Sequence, residues 1–252
     1  MIALTLARAG SNVVVGDLRE EPREGGEATV QAVHGLGRDA VFVRCDVTDS
    51  TSVTELMMAT VDNFGSLHIV VNNAGILVEG SVVETTDEMW RRQMAVNVDG
   101  AFFCCREAIK IMLGAGRGGK IVNITSISGF RGNPGFAAYC ASKGAVVNLT
   151  RQLGLDCAAH RINVNAVAPG FVTTEMTAIY DEAVHNVLAG LTPRGVWASP
   201  QDVANCIAFL ASPLSDHICG ENIVVDGGWL IGTPVEVSET EQEAPRGARA
   251  GA

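Results

Sequence analysis

The stretch KIVNITSISGFRGNPGFAAYCASK, residues 120–143, decides the predicted fold and carries the most informative side chains of the chain. Its apolar start is typical of a buried strand, its glycines and proline predict a break, and its end predicts a helix. Side chains four residues apart share one face of a helix, so Tyr139 and Lys143 project in the same direction. An ammonium near a phenol favours the phenolate, which predicts a tyrosine pKa below about 10 and proton transfer near neutral pH.

Ser126 lies at the end of the predicted strand, where its hydroxyl can bind a substrate oxygen. A Tyr-x-x-x-Lys pattern also occurs on ordinary surface helices, and alone it identifies no site. Its combination with the strand, the serine and the glycine break favours a catalytic site. Ser128 is the second candidate for the serine role.

Length and composition indicate one α/β domain. A chain of 252 residues is long enough for a single continuous core. A hydrophobic content of 47%, with only 18% charged residues, suits a parallel sheet buried on both faces and excludes a disordered chain. The composition turns polar near the end, so we predict one domain over residues 1–232 and a disordered tail over residues 233–252.

Charge and cysteine content limit the partners and the compartment. A net charge of -10 argues against nucleic acids and anionic membranes, which bind clustered basic side chains. No apolar run approaches the length of a membrane span, and no signal-peptide pattern is present. The seven cysteines are odd in number and lack a Cys-x-x-Cys pair, so we expect reduced thiols in a cytoplasmic protein. The five histidines form no metal-binding pattern, and we expect no metal site.

Motifs along most of the chain resemble those of the short-chain dehydrogenase/reductase family. They are Asn-Asn-Ala-Gly at residues 72–75, Asn97 in an Asn-Val-x-Gly pattern, the serine with Tyr-x-x-x-Lys, and a Pro-Gly loop from Pro169. The resemblance spans the chain from about Ala3 to Gly228. It implies a Rossmann-like, doubly wound parallel sheet with helices on both faces.

The resemblance also implies a role for each catalytic residue. Tyr139 would transfer the proton, Lys143 would lower the tyrosine pKa and bind the nicotinamide ribose, and Ser126 would steady the carbonyl oxygen. Asn97 would kink its helix and support a water chain leading to the lysine. A helix asparagine with ordinary backbone partners is the alternative for Asn97.

A nicotinamide cofactor is the predicted ligand. Asp17 ends a short apolar run, and an acid there hydrogen-bonds the adenosine ribose and repels a 2′-phosphate, which favours NAD over NADP. A surface turn aspartate is the alternative, and Arg19 nearby weakens the preference. By resemblance, other residues would contact the adenine, the carboxamide or a phosphate. The predicted cofactor set is Asp17, Asp46, Val47, Asn73, Ala74, Gly75, Tyr139, Lys143, Pro169, Gly170, Val172 and Thr174.

A second glycine pattern imitates a dinucleotide-binding loop. Gly114, Gly116 and Gly119 spell G-x-G-x-x-G. A phosphate-binding loop of this kind must follow a strand and open a helix. Here the glycines follow a predicted helix and precede a strand, so we predict an ordinary turn.

The chain departs from the family at its amino terminus. Family members begin with a buried strand and a glycine-rich phosphate-binding turn, whereas residues 1–10 predict only the end of the helix that follows them. Without that strand, the segments 13–16 and 69–71 would either keep unpaired inner edges or close against each other. Two explanations stay open: a sequence incomplete at its start, and a genuine relative without catalysis.

The predicted function is transfer of a hydride between NAD(P) and a secondary alcohol or ketone. The alternative enzyme is an NADPH-dependent 3-oxoacyl thioester reductase acting on acyl carrier protein. The alternative from another class is a non-catalytic interaction subunit. The resemblance further implies a homo-oligomer, a tetramer packed through the helices of Asn97 and Tyr139 and the last strand.

Overall fold

The computed structural model describes residues 1–22, 25–178 and 180–232. The predicted disordered tail, residues 233–252, lies outside the described residues. The strands are β1 (Val13–Asp17), β2 (Ala40–Arg44), β3 (Ile69–Asn72), β4 (Gly119–Ile124), β5 (Ile162–Pro169) and β6 (Asn222–Val225). The helices are α1 (Ile2–Arg8), α2 (Thr29–His34), α3 (Ser50–Phe64), α4 (Asp87–Met94), α5 (Gly100–Ala115), α6 (Ala137–Cys157), α7 (Glu182–Gly190) and α8 (Pro200–Leu210).

All the strands pair in parallel, but they form two separate sheets. β1 pairs with β2, with Val13 opposite Ala40. The other sheet has the order β3-β4-β5-β6, with Ile69 opposite Lys120 at its first pair. Among the described residues β1 and β3 do not pair, so each keeps one open edge. Of the two outcomes predicted for these edges, the structure shows the open one.

Helices cover both faces of the larger sheet. Successive side chains of a strand point to opposite faces. Val122 of β4 therefore packs in one cluster with Ile207 of α8, while its neighbour Ile121 packs in another with Cys105 of α5. β5 is buried along almost its whole length, as expected for an inner parallel strand. The predicted Rossmann-like parallel sheet with helices on both faces is confirmed.

Helix ends lie where short polar side chains and glycines predict them. The Asp49 carboxylate accepts a hydrogen bond of 2.8 Å from the Thr51 N–H at the start of α3. Ser199 caps α8, and Pro200 is its first residue. Gly116 ends α5 in the left-handed conformation at a φ of 66°. The G-x-G-x-x-G pattern is thus a helix end and a turn before β4.

The polar pattern of residues 20–36 predicts a helix that is poorly formed at Gly25 and Gly26. Among the described residues of this segment, only Thr29–His34 is helical. Gly25 and Gly26 have φ values of 74° and 93°, which lie outside the right-handed helical region. The two adjacent glycines therefore interrupt the helix instead of only weakening it.

Candidate active site

A cavity of about 1490 Å³ lies at the carboxyl ends of the parallel strands β1, β3, β4 and β5. Ligands of open parallel sheets bind at the carboxyl ends of the strands. The cavity runs from the open gap between β1 and β3 to the start of α6. Of the predicted site residues, those that line it are Asp17, Val47, Asn73, Ala74, Gly75, Ser126, Tyr139, Lys143, Pro169, Gly170, Val172 and Thr174.

The Tyr139 phenol lies beside the Ser126 hydroxyl and the Lys143 ammonium. The serine hydroxyl lies near enough to the phenol to favour its ionised form. The Lys143 side chain is 5% exposed, its Nζ lies 5.7 Å from the centre of the tyrosine ring, and it donates 2.8 Å to the Ile124 carbonyl. The end of β4 and the first turns of α6 thus bring together the three predicted side chains.

Burial controls the protonation of this pair. It raises the pKa of Tyr139 above its ordinary value, and the hydrogen bond from Ser126 lowers it only in part. Burial also lowers the pKa of Lys143 to about 8. The sequence predicted a lowered tyrosine pKa and the structure gives a raised one, because desolvation of the phenol outweighs the favourable interactions around it.

Asn97 lies behind the cavity wall, in a π-helical turn, Ala95–Asp99, between α4 and α5. Its Oδ1 accepts 2.9 Å from the Ile76 N–H, and its Nδ2 donates 3.0 Å to the Ile76 carbonyl. Nδ2 also donates 3.1 Å to Ser142 Oγ, next to Lys143. The helix winding changes from α to π at this residue, where a kink was predicted. The asparagine joins the segment after β3 to α6 through these bonds.

Ser126 and Ser128 have different partners. Ser126 Oγ accepts 3.1 Å from the Ser128 N–H and lies beside the tyrosine phenol. Ser128 Oγ instead accepts 2.7 Å from Asn133 Nδ2. This geometry favours Ser126 for the serine role and gives Ser128 a supporting position. Asn133 was not identified from the sequence, where it belongs to an ordinary glycine-proline turn.

Two acids were predicted to contact the cofactor, and only one faces the cavity. Asp17 lies at the exposed end of β1 and accepts 2.7 Å from the Leu18 N–H. Asp46 does not line the cavity, because its carboxylate accepts 2.9 Å from the Thr48 N–H and 2.7 Å from the Thr48 hydroxyl. These bonds hold the pKa of Asp46 below its ordinary value. Its neighbour Val47 does line the cavity, where it packs against Gly100.

The loop after β5 passes close to the end of β6. A Cβ atom at Gly170 would lie 2.8 Å from Asp226 Cα, so only glycine fits. The Val172 carbonyl accepts 2.7 Å from Thr177 Oγ1, and Thr174 precedes this short turn. This hydrogen bond within the loop fixes the loop beside the cavity.

An aromatic cluster beside this loop was not predicted. Phe171 stacks on Trp197 at 5.2 Å and meets Trp229 edge-on at 5.0 Å. The Arg131 guanidinium carbon lies 5.7 Å from the centre of the Trp229 ring. These residues lie far apart in the sequence and follow no regular spacing, so no sequence signal places them together.

Comparison with known proteins agrees with this geometry. A family model described as enoyl-(acyl carrier protein) reductase matches residues 1–230. The chain belongs to the short-chain dehydrogenase/reductase family. It is 36% identical, over 91% of its length and 89% of the relative, to 2-dehydro-3-deoxy-D-gluconate 5-dehydrogenase of Dickeya dadantii (strain 3937). It is 37% identical, over 91% of its length and 92% of the relative, to a 3-oxoacyl-(acyl-carrier-protein) reductase of Staphylococcus aureus (strain Mu50 / ATCC 700699).

A solved member of the short-chain dehydrogenase/reductase family has the same fold. The structure of a Sinorhizobium meliloti 1021 protein, provisionally assigned as a short-chain alcohol dehydrogenase, superposes with a TM-score of 0.86 and 35% identity. The match covers 92% of this chain and 91% of that one. The prediction of a nicotinamide-dependent oxidoreductase acting on an alcohol or ketone is confirmed at this level.

The cavity fits the nicotinamide cofactor of short-chain dehydrogenase/reductase enzymes at two of its parts. Asp17 at one end supplies an acceptor for a ribose hydroxyl. Tyr139 and Lys143, which also line the cavity, would supply donors to the nicotinamide ribose. Among the described residues no glycine-rich turn lies between a strand and a helix to face a pyrophosphate.

No helix of the described residues is both long and apolar enough to cross a membrane.

Proposed function

We propose that Ser126, Tyr139 and Lys143 carry oxidation of a secondary alcohol, or reduction of the corresponding ketone, with Asn97 as a positioning residue. The observation that carries the proposal is the convergence of the tyrosine phenol, the serine hydroxyl and the lysine ammonium at the end of one cavity. Each of these groups has a separate task in moving one proton at the substrate oxygen.

Tyr139 exchanges the proton with the substrate oxygen. When bound, the nicotinamide cofactor supplies or accepts the hydride. In the reduction direction the carbonyl oxygen gains its proton from the phenol, and in the oxidation direction the alcohol returns it. Because burial raises the tyrosine pKa, the phenol is protonated at neutral pH and is prepared for the reduction step.

Ser126 orients the substrate oxygen toward the phenol. Its hydroxyl accepts from the Ser128 N–H and has a single proton, which would turn from the phenol to the substrate oxygen when a carbonyl compound binds. A carbonyl oxygen held by both hydroxyls gains two donors where negative charge develops during reduction. The Asn133 bond to Ser128 fixes the turn that carries this serine.

Lys143 stabilises the charge that remains after the proton has left the tyrosine. With a pKa of about 8, its side chain is mainly the ammonium at neutral pH. Asn97 acts through Ser142 and Ile76, which it bonds directly, so it positions the helix and the cavity wall. No described hydrogen bond joins Asn97 to Lys143, although both lie 3.5 Å from the Cβ position of Gly75.

We further propose NAD as the preferred cofactor over NADP, on the basis of Asp17. Its carboxylate at the end of β1 would accept from the ribose hydroxyls and repel a 2′-phosphate. The other contacts would come from Val47, residues 73–75 and the loop from Pro169 to Thr174. Competitive titration of NADH and NADPH tests this choice, and Asp17→Asn should narrow the difference in affinity by about tenfold. If the ratio of NADH affinity to NADPH affinity were the same in the wild type and in Asp17→Asn, the role of Asp17 would be refuted.

Titrating NADH into the purified chain of 252 residues separates an enzyme from an interaction subunit. We expect saturable binding and NAD reduction with secondary alcohols, followed by absorbance of NADH. A chain that binds no NADH and turns over no alcohol would support the interaction subunit. Bovine serum albumin at the same concentration controls for non-specific binding.

A 3-oxoacyl thioester reductase is the second candidate, favoured by the similarity to the Staphylococcus aureus protein. Apolar residues of α7 and the residue that follows it line one part of the cavity, namely Val184, Leu188 and Leu191. An acyl chain would pack against such a surface. Reduction of acetoacetyl thioester with NADPH, compared with oxidation of a simple secondary alcohol with NAD, decides between the two candidates.

We propose a homotetramer in the cytoplasm as the working state. α5 and α6 expose apolar side chains, with Phe102 41% and Leu155 76% exposed, and such surfaces commonly pack on a second copy. All seven cysteines are free thiols, as expected in a reducing compartment. Light scattering tests the assembly: Leu155→Glu should lower the mass, while Leu214→Glu at another exposed site should not.

A further inference from the structure

Arg131 is the exposed cation of the cavity near the catalytic tyrosine. Of the other arginine and lysine side chains that line the cavity, Lys143 donates to the Ile124 carbonyl. Arg38 donates to the Ser11 carbonyl beside the start of β1. Arg131 is exposed and has no ion pair with a described residue. An anionic group on a ligand in this cavity could therefore pair with this guanidinium without breaking an ion pair between described residues.

The guanidinium is held in a defined place. The Arg131 N–H donates 3.2 Å to the Ile127 carbonyl, in the turn that carries the catalytic serine. Its guanidinium carbon lies 5.7 Å from the centre of the Trp229 ring, within the range of a cation–π contact. Trp229 is fixed in turn by Phe171, 5.0 Å away between ring centres. This packing reduces the conformational entropy that an arginine loses on binding a ligand.

Trp229 supports this guanidinium through its ring. The side chain lines the cavity, and the Arg131 guanidinium lies over the ring face. The indole Nε1 is buried and has no hydrogen-bond partner among the described residues, so the guanidinium supplies the donors that a ligand can reach. A carboxylate has two oxygens and several acceptor positions, so it can accept two N–H bonds from one guanidinium.

We propose that Arg131 and Trp229 form a subsite for a carboxylate of the substrate, which makes the substrate a hydroxy acid or the matching oxo acid. This proposal rests on the proposed function, since it places the carboxylate beside the alcohol that Tyr139 deprotonates. Glu175 lines the same cavity and would repel a second anionic group. A monocarboxylate is therefore preferred over a dicarboxylate.

The first test compares each hydroxy acid with its methyl ester. The probes are 3-hydroxybutyrate, 3-hydroxyhexanoate and 3-hydroxyoctanoate with their esters, which keep the alcohol and remove the charge. We expect kcat/KM to be about 10- to 100-fold higher for at least one acid than for its ester, which is the size of effect that a charge-assisted hydrogen bond gives. The difference should lie mainly in KM. Arg131→Gln should bring that ratio close to one, whereas Arg117→Gln, outside the cavity, should keep it. The same ratio in both variants would overturn the proposal.

The second test measures binding without turnover. The three tryptophans give three indole N–H signals in a ¹⁵N–¹H correlation spectrum, and Trp229→Phe assigns one of them. That signal should shift saturably with one of the acids and not with its ester, and Arg131→Gln should abolish the shift. A chain that binds the acid this way but oxidises nothing would refute the proposed function alone. If no acid shifts the signal more than its ester does, the carboxylate subsite is refuted, whether or not the chain is active.

Discussion

The ammonium nitrogen of Lys143 lies 5.7 Å from the centre of the Tyr139 ring, and both side chains line the same cavity. One helical turn separates the two residues, so the helix alone accounts for their proximity. The protonation of the pair depends on more than proximity, because burial raises the tyrosine pKa and lowers that of the lysine. The next two predictions follow from this pair.

Tyr139→Phe should lower kcat at least about 1,000-fold and change cofactor affinity less than about threefold, because the variant loses one hydroxyl and keeps the ring. Kinetics with a secondary alcohol and NADH titration measure the two effects. Tyr180→Phe removes the same atom from the only other tyrosine and should cost less than about tenfold. Turnover that survives in Tyr139→Phe would reject the assignment of the proton donor.

Lys143→Met should change how stability depends on pH. The folded pKa of Lys143 is lowered from 10.5 to about 8, so the unfolded chain binds more protons at this residue between those values. Stability contributed by this site therefore rises with pH in that window. Relative to the methionine variant, the wild type should gain roughly 1–2 kcal/mol from pH 7 to pH 9.

Chemical denaturation at each pH measures this difference. Lys110→Met is the matched control, because Lys110 forms a salt bridge with Glu107 at a site where the lysine side chain is 63% exposed. Its difference from the wild type should stay nearly constant over the same range. If the free energy of unfolding changed with pH in the same way in the wild type and in Lys143→Met, the lysine would not be desolvated, contrary to the structure.

Asn97→Ala should destabilise the fold by roughly 2–4 kcal/mol, because it leaves the Ile76 N–H without its side-chain acceptor and removes the bonds to the Ile76 carbonyl, which keeps Gln93, and to Ser142. Urea unfolding gives this value. Asn63→Ala removes one exposed bond to the Ala59 carbonyl and should cost less than about 1 kcal/mol. If the two variants lost the same free energy of unfolding, the hydrogen bonds of Asn97 would stabilise the fold no more than one exposed bond does.

The open edges of β1 and β3 should exchange amide hydrogens faster than the inner strands. Each has a neighbour on one side only, whereas β5 lies between β4 and β6. Hydrogen exchange followed by mass spectrometry should show peptides of β1 and β3 exchanging at least about tenfold faster than those of β5. Equal protection would indicate that the two edges pair in solution.

The short motifs were the most predictable part of the site. The Tyr-x-x-x-Lys spacing and the serine after β4 led to the right cluster, and the caps of α3 and α8 gave their starts. The bonds from Thr48 to the Asp46 carboxylate could not be predicted from its position after β2, and its contact with the cofactor stays a prediction. The aromatic cluster of Phe171, Trp197 and Trp229 could not be predicted, since its members meet only through loops that follow different strands.

The sequence by itself determined which residues share a helix face, where α3 and α8 begin, and which strands are fully buried. Those properties depend on neighbours a few residues apart, and local spacing records them. Only the tertiary structure decided that β1 and β3 stay apart, that Arg131 lies on Trp229, and how burial sets the pKa of Tyr139. Each of these depends on desolvation and on contacts between distant segments, which no local pattern contains.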